Sequence, residues 1–251
     1  MYPPRPDGYH PLASVFQTVS LADRLTVSVE SSGFELTCHN APLSLEDNIL
    51  FRIYESLSPQ ISVGLRVELE KNIPMAAGLG GASSDAAQFL VALNELLSWG
   101  LSVPSLQKLA LGFGADIPFF IQGGRAYVTG IGEQIDPLPI ESQCFYVLVY
   151  PGFKSLTPVV YHTFDRLGLG AHQEFALGEN DLELAAFAAY PYLSEVKSTL
   201  LEAGLPNVCM SGSGSTFFSV FGSLERAQSW QIQLSARHPN WQVFCVSDVV
   251  S

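Results

Sequence analysis

The chain has 251 residues, a formal net charge of −12, 47% hydrophobic residues and only 14% charged ones. That length and apolar content suffice for one large or two modest domains with substantial cores, and exclude long disordered blocks. The negative balance argues against nonspecific binding to nucleic acid or to an anionic membrane, and an anionic substrate must be held by local donors.

In chain order, Arg5-Pro6-Asp7-Gly8-Tyr9-His10 contains the turn signal Asp7-Gly8, and Leu12 to Val29 reads as extended. Leu21 to Val29 is expected to be a strand, Ser32-Gly33 a turn, and Phe34 to His39 the partner strand. His39 has no spaced partner and reads as a turn or core histidine. Asp47-Asn48-Ile49-Leu50 opens a helix with Ile49, Ile53 and Leu57 on one face, and Asp47 suits its N-cap. Ile61, Val63, Leu65, Val67 and Leu69 then alternate with polar residues as in a half-buried strand, whereas Ala86, Phe89, Leu90, Leu93, Leu96 and Leu97 recur at helical spacing.

Lys71 to Ala87 joins that strand to that helix. Gly78, Gly80 and Gly81 carry no Cβ to block a ligand, so backbone N–H groups can converge on an anion that the helix dipole also favours. Ser83 and Ser84 add hydroxyls. The stretch reads as a phosphate cradle; the competing reading is a glycine-rich turn with a serine N-cap. No lysine follows the glycines, which excludes a Walker loop, and Ser83 stands where a dinucleotide fingerprint has its third glycine or alanine.

Beyond the break at Trp99 to Pro104, a helix over Ser105 to Leu111 ends at Gly112. Gly114-Ala115-Asp116-Ile117-Pro118 follows, and Asp116 suits either an N-cap or a working carboxylate. Gly123 to Glu133 reads as a hairpin. Pro137, Pro139 and Glu141-Ser142-Gln143 mark a boundary, giving domains 1–140 and 141–251. A strand over Phe145 to Tyr150 precedes a helix over Val159 to Leu167, with Thr157 as cap and Pro158 as first helical residue. Asn180-Asp181-Leu182-Glu183 opens another helix, and Leu193 to Ala203 forms the next. A third glycine cluster, Met210 to Thr216, leads into a strand over Thr216 to Phe221, a helix over Leu224 to Arg237 and a strand over Trp241 to Val246.

The run Pro74 to Ala87 resembles the ATP-binding motif of the GHMP kinases, and the resemblance extends over nearly the whole chain. Within that superfamily it is most similar to the kinases that act on a cytidine diphosphate-linked methylerythritol. It implies an α+β, two-domain fold, ribosomal-protein-S5-like at the N-terminus and ferredoxin-like at the C-terminus. It implies ATP contacts from Asn48, Pro74, Met75, Ala76, Ala77, Gly78, Leu79, Gly80, Gly81, Ala82, Ser83, Ser84, Gly212 and Ser213. Asp116, in Gly-Ala-Asp-Ile-Pro, is implied as catalytic base. Tyr9 is implied to stack on the cytosine with Tyr161 on its other face, His10 to bond the base edge, and Thr157 to touch the substrate.

The cofactor implied is ATP with Mg²⁺ travelling on the nucleotide; no dedicated metal cage is visible. Another small-alcohol kinase, and a nucleotide-binding protein without kinase activity, are the competing functions. The expected partner is a small molecule, with no nucleic acid or membrane, and the chain is expected to be a monomer or weak homodimer. Cys38, Cys144, Cys209 and Cys245 form no Cys-x-x-Cys, no apolar run reaches ~18 residues, and no signal peptide is evident, so a cytoplasmic protein is expected. The family carries an early Pro-Ala-Lys-(Ile/Leu)-Asn segment, whereas the lysines here are Lys71, Lys108, Lys154 and Lys197. The expectation is of a gene product starting upstream or a shortened chain, which binds nucleotide but turns over poorly unless another cation substitutes.

Overall fold

The structure is a computed structural model and describes residues 1–2, 4–6, 8–41, 43–169 and 178–249; the expected turn residue Asp7 lies outside them. The chain runs through β1 (Leu12–Gln17), β2 (Arg24–Glu30), β3 (Phe34–His39), α1 (Ile49–Leu57), β4 (Gly64–Glu70), α2 (Gly81–Leu96), α3 (Val103–Leu111) and α4 (Ile117–Gln122). It continues through β5 (Arg125–Gly130), β6 (Gln134–Pro137), β7 (Phe145–Tyr150), α5 (Thr157–Arg166), α6 (Glu183–Ala189), α7 (Pro191–Glu202), β8 (Cys209–Met210), β9 (Phe217–Phe221), α8 (Leu224–Arg237) and β10 (Gln242–Ser247). By packing, residues 1–20, 74–79 and 124–251 form one compact unit, and residues 21–73 and 80–123 another. Among the described residues no helix is long and apolar enough to cross a membrane.

The second unit is built on the sheet β2-β4-β3. The alternation read from the sequence appears in β4, where Leu65, Val67 and Leu69 are buried while Arg66 and Glu68 face outward. The pairing differs from the expected hairpin of β2 with β3. β4 lies between them, antiparallel to β2 and parallel to β3. Parallel strands need a crossover, and α1 supplies it between β3 and β4. Gly64 lets β4 begin directly against the backbone of Ser32, where a Cβ would collide. Leu50, Ile53 and Leu57 of α1 and Phe89, Leu90 and Leu93 of α2 fill the core above the sheet. Each such side chain contributes about 1.5–3 kcal/mol by leaving water. The cap of α1 is Asn48, whose Oδ1 accepts from the Leu50 N–H at 3.0 Å, and not Asp47, which is engaged with Ser44.

In the first unit, β7, β8, β9 and β10 form an antiparallel sheet in the order β10-β7-β9-β8. Read as strands one to four, that order is 4-1-3-2, the ferredoxin-like arrangement. The two-residue β8 has no separate signal in the sequence. The sheet's core joins Val147, Val149 and Phe217 to Phe164 of α5, Leu193 and Leu200 of α7 and Leu234 of α8. The same unit holds the sheet β1-β5-β6, in which β5 and β6 form the expected hairpin.

Candidate active site

In the first unit, residues 74–79 of the glycine-rich run lie against the third glycine cluster. The Thr216 N–H donates to the Ala77 carbonyl at 3.0 Å, and the Ser211 hydroxyl donates to the Gly78 carbonyl at 2.8 Å. The Ser155 N–H donates to the Ala76 carbonyl at 3.0 Å. Gly78 has a φ of +74°, and a Cβ there would run into the Ser211 and Gly214 backbones. The Ser155 hydroxyl donates to the Ser213 carbonyl at 2.8 Å, and the Thr157 and Ser213 hydroxyls pair at 2.8 Å. Thr157 is therefore not the cap of α5, which has no side-chain cap; its hydroxyl joins the glycine cluster instead. Asn180 holds that cluster from behind. Its Nδ2 donates to the Met210 and Gly212 carbonyls at 2.8 and 2.7 Å, and its Oδ1 accepts from the Leu182 N–H at 2.9 Å. The sequence reading took Asn180 mainly as a helix start; its anchoring of Gly212 depends on a contact 32 residues away.

Tyr9, His10 and Tyr161 belong to the same unit. Tyr9 is 53% exposed, while His10 is buried. The rings of His10 and Tyr161 meet edge-on, 5.1 Å apart at 61°, and Phe164 approaches His10 at 6.0 Å and 87°. His10 Nε2 lies 2.7 Å from Asp165 Oδ1. Asp165 was not singled out in the sequence, though its place one helical turn beyond Tyr161 could have signalled a shared face.

In the second unit, residues 80–84 open α2. Gly80, at φ +67°, is its N-terminal flanking residue, and among the described residues no side chain caps the helix, so no cap takes up the N–H groups of its first turn. The space argument for Gly80 changes, because a Cβ there would meet the Phe120 ring at 2.6 Å and so collide with protein before any ligand. The Ser84 hydroxyl donates to the Gly81 carbonyl at 2.9 Å. Asn48 is 3% exposed, and its Nδ2 is a buried donor without a partner among the described residues. Such an orphan is uncommon in native interiors.

Asp116 sits at the N-terminal position of α4 but makes no capping hydrogen bond. The cap that the sequence left open for it is not formed. The residue presents open surface, yet the protein around its carboxyl desolvates it enough to raise its pKa. Among the described residues no lysine or arginine forms an ion pair with it.

Lys71, read in the sequence only as the start of the loop, is the centre of a buried charge cluster. Its Nζ bonds to Asp23 and, at 2.6 Å, to Asp85 Oδ2 on the first turns of α2; the three side chains are only 6%, 3% and 7% exposed. Asp23 Oδ1 also accepts from the Ile73 N–H at 2.8 Å. Burial pushes Asp85 up to about 7, with Lys71 opposing the rise. Burial lowers the Lys71 pKa, but the two carboxylates outweigh it and the net direction is upward. The cluster pins the end of β4 to the start of α2, so it fixes where the cradle's helix begins.

Residues 48–124 match the family described as GHMP kinases N terminal domain, and residues 158–239 match GHMP kinases C terminal. A 4-diphosphocytidyl-2-C-methyl-D-erythritol kinase of Syntrophotalea carbinolica is 39% identical, over 98% of this chain and 92% of its own length. The chain belongs to the GHMP kinases. The kinase of the same name from Geobacter metallireducens is 36% identical, again over 98% of this chain and 92% of its own. A crystal structure of 4-(cytidine 5'-diphospho)-2C-methyl-D-erythritol kinase superposes with a TM-score of 0.78 at 34% identity, covering 98% of this chain and 93% of that one. A homoserine kinase from Cytophaga hutchinsonii, at 19% identity and a TM-score of 0.69, shares the fold. The ribosomal-protein-S5-like and ferredoxin-like α+β architecture of the family is thus that of this chain.

Proposed function

We propose that the chain transfers the γ-phosphate of ATP to the 2-hydroxyl of 4-diphosphocytidyl-2-C-methyl-D-erythritol. The observation that carries this reading is the near-full-length similarity to kinases of that name, at 39% identity for that of Syntrophotalea carbinolica and 36% for that of Geobacter metallireducens. In it, the N-terminus of α2 receives nucleotide phosphate. The N–H groups of a helix's first turn and the helix dipole suit an anion without needing a lysine. Asn48 is taken, from the family resemblance, as a contact to the adenine. Tyr9 and Tyr161 offer flat faces to the cytosine, His10 its edge, and Thr157 a hydroxyl.

Phosphoryl transfer asks little covalent chemistry of a protein beyond alignment, charge neutralisation and a proton acceptor. Asp116 is the acceptor in this reading, taking the hydroxyl proton as the bond to phosphorus forms. Desolvation, by raising its pKa, makes it a better base than a carboxylate in water. Mg²⁺ bound to the nucleotide supplies neutralisation of the phosphoryl oxygens. Among the described residues no group of three or more His, Cys, Asp or Glu side chains is placed to hold a metal. We further take the chain to be cytoplasmic, a monomer or weak homodimer, with sequence domains 1–140 and 141–251.

The test is release of ADP from ATP and Mg²⁺ with and without the cytidylyl substrate, the phosphorylated product being identified by ³¹P NMR. Release that depends on the cytidylyl alcohol, with a new monoester resonance, is expected. ADP release indifferent to that substrate, or tight ATP binding without turnover, would overturn the reading.

A further inference from the structure

His10 enters the proposed site already committed on one side. Its side chain is 5% exposed, Nε2 lies 2.7 Å from Asp165 Oδ1, and the rings of Tyr161 and Phe164 hold its plane edge-on. α5 therefore supplies an aromatic wall and, one turn later, the carboxylate that holds the histidine. An ionised carboxylate can only accept, so the proton of a neutral His10 ring sits on Nε2. Nδ1 is left as a lone-pair acceptor, and no described residue hydrogen-bonds to it. Which nitrogen carries the proton decides what the other can recognise.

We propose that Asp165 is a specificity-determining positioning residue: by holding the proton of His10 on Nε2, it makes Nδ1 an acceptor that selects a pyrimidine bearing a 4-amino group over one bearing a 4-carbonyl. This rests on the reading that His10 faces the base of a cytidylyl substrate. Cytosine offers an N4–H donor to that lone pair, whereas uracil offers O4, a second acceptor. Two acceptors face to face leave both unpaired, and sites built to bond a specific donor reject analogues lacking it strongly. Half-exposed Asp165, at 41%, never touches the base and acts only through the ring.

The experiment compares kcat and KM for 4-diphosphocytidyl-methylerythritol and its uridylyl counterpart in the wild type, His10→Ala and Asp165→Asn. An asparagine can present either its oxygen or its nitrogen to Nε2, so both ring tautomers become accessible. The cytidylyl-to-uridylyl ratio of kcat/KM is expected to fall tenfold or more in Asp165→Asn, mainly through KM. The KM for ATP and the melting temperature should stay unchanged. ¹⁵N spectra of histidine-labelled wild-type protein, with His10 assigned by its loss in His10→Ala, should show Nδ1 unprotonated. If His10→Ala leaves the cytidylyl KM unchanged, the base-recognition reading fails and the proposal with it. If His10→Ala raises that KM but Asp165→Asn keeps the ratio, or if the spectra show a protonated Nδ1, the reading survives and the proposal is overturned.

Discussion

Replacing Asp85 by asparagine tests how the buried cluster under α2 is held. With all three groups ionised, Lys71, Asp23 and Asp85 sum to −1 in a region where none is more than 7% exposed. Water would stabilise that extra charge and the protein does not, so burial drives Asp85 toward its neutral form at about 7 against an ordinary 3.8. Because the folded-state value is raised, the native protein binds a proton that the unfolded chain releases between about pH 4 and pH 7. Stability from this group is complete below pH 4, declines as pH rises, and is lost above pH 7. The whole span is worth at most about 4 kcal/mol, and the part between pH 5 and pH 8 about 3 kcal/mol. The amide introduced by Asp85→Asn does not titrate, and its oxygen can still accept from Lys71. Breaking a buried ion pair usually costs 3–5 kcal/mol by orphaning a charge, but here Lys71 keeps Asp23. Urea unfolding followed by circular dichroism, for both proteins at pH 5 and pH 8, should therefore show the variant gaining about 3 kcal/mol on the wild type as pH rises. A stability difference that is equal at the two pH values would refute the reasoning, as would a loss of 3–5 kcal/mol in the variant at both.

Asp116→Asn should lower kcat by 10²–10⁴-fold, as for removal of a positioned base, with the melting temperature unchanged because no capping bond is lost; turnover within threefold of wild type would remove Asp116 from the chemistry. Asn48→Ala loses both the cap on α1 and the orphan donor, so calorimetry should show about 1 kcal/mol less stability together with a raised Kd for ATP, and an unaltered Kd would reduce Asn48 to a cap. Gly78→Ala places a Cβ against the Ser211 and Gly214 backbones at a φ that side chains rarely adopt, and should cost more than about 1 kcal/mol in denaturant titration while weakening ATP binding. A Gly78→Ala protein of wild-type stability would mean that the two glycine segments do not need so close an approach.

Features whose causes are local could be read from the residues in order. The limits of α8, Leu224 to Arg237, coincide with those expected, because Ser223 caps one end and the apolar spacing is unbroken. The alternation in β4 likewise named its buried face, since a strand's two faces are set by its own residues. What was misjudged or missed depends on partners far along the chain. The pairing of β2 with β4 rather than β3 follows from a third strand inserted through a crossover, which no property of the Ser32-Gly33 turn announces. The grip of Asp165 on His10 spans 155 residues.

The buried cluster lies between these cases, and its signal was present but unread. Lys71 continues the parity of Leu65, Val67 and Leu69, the inward face of β4, and Asp85 lies one turn before Phe89 on the buried face of α2. A lysine and an aspartate on two apolar faces cannot both be solvated there, and each alone would carry a large desolvation penalty. Opposite charges at such positions, one just before a glycine-rich loop and one just after it, imply that they meet. Because the loop's two ends are then tied by charge as well as by core packing, the backbone between them is held in place at Gly80 and Gly81, where the N–H groups of the first turn of α2 begin. An anion site needs its donors fixed in this way by the framework around them before the ligand arrives.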